Sequence, residues 1–153
     1  MERFQGSSLA EWKGRLPIEM VQKIATTLSN VANNTKYVYR GAALGDIAVA
    51  GDALKFTSFN NFRYSRSWQS ALDSYNDLYN FFIKLVNLMP KKEKWIEKLN
   101  LIFSFRDLAA TYWKADSNTR KSLEESHKDI FNIELLQRTL AQVQALFSSA
   151  KGG

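Results

Sequence analysis

The chain contains no cysteine, two prolines, seven glycines and one histidine. Each shortage excludes something. Without cysteine there is no disulfide, no thiolate zinc site and no thiol nucleophile. So few prolines and glycines favour long helices over a turn-rich β fold. No apolar run approaches the roughly 18 residues of a membrane-spanning helix, and residues 1–14 lack the apolar core of a signal peptide. No His/Asp/Glu cluster has metal-ligand spacing, so neither metal nor cofactor is expected. The default expectation is a soluble, cytoplasmic protein.

Aromatic residues and positive charge are abundant. Ten Phe, six Tyr and four Trp make 13% of the 153 residues, and the net charge is +6. Residues 1–70 hold nine Lys/Arg against five Asp/Glu, whereas residues 71–153 hold twelve against ten. A basic surplus in the first half suits an anionic partner, nucleic acid or a membrane surface, or simply a solvated basic face. The length fits one domain that buries enough surface to need no staple.

The pattern along the chain predicts an all-α fold. Residues 1–16 read as an arm in which Leu9 and Trp12 form a short turn against a neighbour. Pro17 then opens a helix whose Val21, Ile24, Leu28 and Val31 share a face, with a break expected at Asn33-Asn34. Residues 35–57 read as a second helix of small residues, with Gly41, Gly45 and Ala48 as a close-packing contact. Three Gly within eleven residues weaken such a helix by about 1 kcal/mol each, offset by close approach of another helix, a subunit or a nucleic-acid backbone. Residues 56–68 suggest an aromatic, basic loop. A third helix is expected over 67–88, stopped by Pro90. A fourth is expected over 91–114, and a last helical region over 117–149 with a break near 129–132. The predicted organisation is one domain over 1–153: a basic N-terminal arm with two helices over 1–66, then a C-terminal helix bundle over 67–153.

A catalytic site is not indicated. His127, the lone histidine, sits in a charged segment with no cysteine to activate. Gly41 and Gly45 lack the Lys and strand context of a phosphate loop. Glu124 and Glu125 are adjacent on a helix and do not face each other. Asp46 and Asp52 point to solvent or pair with Arg40 or Lys55.

Cations interleaved with aromatics suit neutralisation of a phosphate backbone. The candidates are Arg3, Lys13, Arg15, Lys23, Lys36, Arg40, Lys55, Arg63 and Arg66, with Tyr37, Tyr39 and Tyr64 reaching phosphate oxygens. No helix-turn-helix, zinc finger or RNA-binding aromatic motif is present, so shape and charge are expected to replace base reading. The alternative is that the aromatics are core and the cations a solvated surface.

Three stretches carry a likeness: Trp12-Lys13-Gly14-Arg15 ahead of Pro17, Ser29-Asn30-Val31-Ala32, and Lys55-Phe56-Thr57-Ser58-Phe59-Asn60. In order and character they resemble the major coat proteins of rod-shaped and filamentous archaeal DNA viruses, in fragments over residues 10–60. The resemblance implies a helical arm and bundle, and a dimer with itself or a paralogous subunit. It also implies wrapping of double-stranded DNA without sequence specificity, in the helical polymer of a virion. Trp12, Lys13, Arg15, Lys23, Lys36 and Arg40 would then face DNA. The competing reading is a helical protein-interaction or membrane-surface module with no nucleic-acid partner.

Overall fold

A computed structural model describes residues 6–13, 15–40, 44–51, 53–57, 61–64 and 67–150. Among these residues the chain forms six α-helices and five short strands in two antiparallel sheets. The fold is therefore mixed α and β, and the all-α expectation is corrected.

The correction falls on residues 35–57. Helix α1 (Ile18–Thr35) ends where Lys36 turns into the left-handed region at φ 64°. The backbone then extends as β2 (Tyr37–Tyr39), β3 (Ile47–Ala50) and β4 (Ala53–Phe56). The β-branched and aromatic residues here, Tyr37, Val38, Tyr39, Ile47 and Val49, favour a pleated strand, and the glycines remove what helix preference the alanines supply. β3 and β4 form a hairpin in which Ala50 pairs with Ala53, and Gly51 enters its turn at φ 63°.

Residues 7–9 and 16, expected within an arm, are tied into the chain's own fold. β1 (Ser7–Ser8) pairs with β3, opposite Val49 and Ala48, so the three-stranded sheet runs β1-β3-β4. Leu9 and Leu16 are buried in the chain's own core. Residues 56–68, expected as loop, contain β5 (Phe62–Tyr64), which pairs with β2 to form the second sheet.

The helices account for most of the core. α1 lies antiparallel to α6 (Ile133–Ala150): Gln137 Nε2 donates to the Ala32 carbonyl at 2.9 Å, and Gln22 Nε2 donates to Ser148 Oγ at 3.3 Å. α2 (Trp68–Val86) starts with a capping box in which Ser67 and Ser70 exchange hydrogen bonds. It buries Leu72, Tyr75, Leu78, Phe81, Phe82 and Leu85. Each of Phe81 and Phe82 is worth roughly 1.5–3 kcal/mol of burial.

The expected fourth helix is two, α3 (Lys92–Ile102) and α4 (Arg106–Lys114). Tyr75 explains the break: its hydroxyl accepts from the Phe105 N–H at 2.9 Å, and its ring packs on Phe103 and Phe131. α5 (Ser117–His127) is capped by Asp116, which accepts from the Thr119 N–H at 2.8 Å, and it buries no residue. No helix among the described residues is long and apolar enough to cross a membrane.

Candidate nucleic-acid interface

The structure distributes the expected cations over several places. Arg15 is carried to the loop that follows α2, because the Leu16 N–H donates to the Leu88 carbonyl at 2.7 Å and Leu16 itself is buried. There it joins Lys91, Lys94 and Lys98 in lining a groove of about 650 Å³. Residues 91, 94, 95 and 98 stand at three- and four-residue steps, so α3 and its N-cap present them together. Glu93 and Glu97 fall on another face by the same spacing, and no acidic residue lines the groove among the described residues. Leu16, Pro17, Ile18, Met89, Pro90 and Trp95 form its apolar part. Lys94 Nζ and Lys98 Nζ lie 5.5 and 5.3 Å from the Trp95 ring centroid, and the ring packs on Phe147 at 5.2 Å. The indole thus supports the two ammonium groups while it stays only 7% exposed. The N-terminus of α3 adds its partial positive charge to the same place.

The other candidates sit apart from this groove. Lys13 is exposed ahead of it. Trp12 is half-buried against the core, and its Nε1 finds no acceptor among the described residues. Lys23 lies on the exposed strip of α1 in a second groove, shared with Glu19, Gln22 and Leu54. Lys36 is exposed at the C-cap of α1, beside the β2–β5 ribbon. Arg63 is exposed on that ribbon opposite Val38, and it lines a cleft of about 320 Å³ with Arg40, Asn61 and Asp77. Gly41 and Arg66 lie outside the described residues, as do Arg3 and Asp52.

Arg40 takes a structural position. Its Nη2 stands 3.5 Å from Asp73 Oδ2 and its Nε donates to Asp77 Oδ2 at 3.2 Å, both on α2. Burial holds the Asp73 carboxyl above its ordinary range; Arg40 opposes the shift and Asp77 reinforces it. Nearby, Asn61 donates to Asp46, and Tyr39 is buried with its hydroxyl pushed up to about 12 by desolvation and then by the Asp46 charge.

Of the expected close-packing contact, Gly45 and Ala48 are described, and neither lies on a helix. Gly45 stands in an exposed turn where an added Cβ would meet nothing within 4 Å. Ala48 is 8% exposed in the middle strand of the first sheet, between Ser8 and Lys55.

Lys91, Lys94 and Lys98 are not among the cations singled out from the sequence. Their three- and four-residue spacing around Trp95 was visible, but the approach of Arg15 from 76 positions earlier was not. His127 Nδ1 lies 3.0 Å from the Leu123 carbonyl, and the His127 carbonyl accepts from Trp68 Nε1 at 2.7 Å. No group of His, Asp and Glu among the described residues is placed to hold a metal ion. No protein-family model matches the chain, and neither a curated protein nor a solved structure matches it.

Proposed function

We propose that this chain is a non-catalytic nucleic-acid-binding protein that grips the sugar–phosphate backbone without reading sequence. The observation that carries the reading is the groove where Arg15, Lys91, Lys94 and Lys98 converge with no acidic lining residue among the described ones. Four cations around one concave surface attract a polyanion and release its condensed counterions. The Trp95 face holds two of those cations in place, which lowers the entropy lost when they engage phosphate. The reading keeps the expected anionic polymer and abandons the two-helix arm that was expected to wrap it.

The test is a titration of a labelled 20-base-pair duplex and a labelled 20-nucleotide strand at low salt. The native chain should bind both. Lys94→Glu with Lys98→Glu, on exposed or half-buried positions of α3, should weaken binding at least about tenfold while thermal unfolding stays near native. Absence of binding by the native chain, or an affinity unchanged by the reversal, would favour the protein- or membrane-surface module instead.

A further inference from the structure

We infer that the β2–β5 ribbon is a stacking platform for unpaired bases, so that the polymer bound best is one with accessible single-stranded segments. This rests on the backbone-binding reading and narrows it. The register places Tyr37 opposite Tyr64 and Tyr39 opposite Phe62. Side chains directly opposite share a face of the ribbon, and alternate residues along a strand return to it. One aromatic ladder therefore runs along this face. Its inner end, Tyr39 and Phe62, is buried against Phe56 and Phe81, with ring centroids 4.9–6.1 Å apart. Its outer end reaches water: Tyr37 is 45% and Tyr64 40% exposed, in edge-to-face contact at 5.5 Å.

Anchoring fixes the orientation of the outer pair. The Arg40 N–H donates to the Asn61 carbonyl at 2.6 Å, and the Arg40 side chain ties β2 to α2. The Tyr37 N–H donates to Thr35 Oγ1 at 3.1 Å. The exposed ring surface of this pair is suited to bases, because every base has a π face and stacking tolerates any sequence. Lys36, exposed at the foot of β2, supplies the adjacent positive charge for a phosphate. Bases within a duplex are already stacked on each other and do not offer that face.

The ribbon and the basic groove lie at opposite ends of α1: Arg15 precedes it and Lys36 follows it. Eighteen residues rise about 27 Å. A strand long enough to touch both should bind more tightly than one that reaches a single end.

The test compares a thymidine 20-mer with an abasic 20-mer that carries the same phosphates and no bases. The native chain should prefer the thymidine strand roughly tenfold. Tyr37→Ala with Tyr64→Ala should erase the preference. Tyr37→Phe with Tyr64→Phe, which keeps the rings, should retain it. A thymidine 4-mer should lose most of the affinity. Equal binding of both 20-mers by the native chain, or a preference that survives loss of the rings, would overturn the platform while leaving the backbone reading intact. Failure of either strand to bind would instead remove the backbone reading itself.

Discussion

Arg40 Nε donates to Asp77 Oδ2 across 3.2 Å, and the same guanidinium lies 3.5 Å from Asp73. One cation, read from the sequence as a phosphate contact, thus joins the end of β2 to two carboxylates one helical turn apart on α2. The contact holds the ribbon in place, and its loss leaves two like charges facing each other beside a desolvated surface.

Arg40→Ala should therefore destabilise the fold at neutral pH. The three side chains are about a third exposed, so the expected loss is about 1 kcal/mol. The pH dependence has a definite sign. The Asp73 carboxyl is held above its ordinary value of 3.8, by burial first. A carboxyl with a raised folded pKa binds its proton more readily when folded, so its cost is complete above the folded pKa and fades as pH falls through the unfolded value. Removing Arg40 raises that pKa further. The gap between variant and native urea midpoints should be widest at neutral pH and should close on acidification below the ordinary Asp value. A gap that does not change with pH would assign the loss to packing.

Two glycine substitutions should separate the turn from the supposed close contact. Gly51→Ala puts a side chain at φ 63° in the hairpin turn, and should cost about 1 kcal/mol. Gly45→Ala adds a Cβ to open space and should leave the melting temperature near native. A large loss at Gly45 would restore the close contact inside the chain.

The polar helix α5 should open first. It buries no residue fully; Leu123 packs half-buried on the core, and the other anchors are polar: Tyr112 Oη donates to Glu124 Oε1 at 2.6 Å, and Arg120 donates to the carbonyls of Tyr112 and Trp113. The Asp116 cap is held below the ordinary carboxylate range by its bonds to Thr119. A depressed carboxyl supports the fold above its unfolded pKa, and that support is lost as pH falls through the folded value. Amide exchange, corrected for its intrinsic pH dependence, should show residues 117–127 opening before α2. The opening should become easier below the ordinary Asp value of 3.8, and Asp116→Ala should reproduce it at neutral pH. Uniform protection across α2 and α5 would contradict this order.

The helices were legible where one apolar stripe met one partner. The helix expected over 67–88 lies within two residues of α2 at each end, and Leu136, Leu140, Val143 and Phe147, at three- and four-residue steps, form the buried face of α6. Asn33-Asn34 did not break α1, which runs on to Thr35 and stops at the left-handed Lys36. The break between α3 and α4 carries no Gly or Pro signal, because Tyr75, some 30 residues earlier, takes over the Phe105 N–H. The strands were masked by alanine: Ala48 and Ala50 read as helix formers, while their pairing with Lys55 and Ala53 depends on a turn two residues long. The site was half legible for the same reason. Its lysines share one helix face that spacing reveals, but Arg15 reaches them only through the Leu16–Leu88 hydrogen bond.

The central claim is that the groove of Arg15, Lys91, Lys94 and Lys98 neutralises phosphates, and the salt dependence of strand affinity measures this most directly. Four engaged cations predict that the logarithm of affinity for a 20-nucleotide strand falls with the logarithm of salt at a slope of about −3. Reversal of Lys94 and Lys98 should make that slope shallower, to about −1.5. A slope near zero in the native chain, or one that the reversal leaves unchanged, would contradict the account.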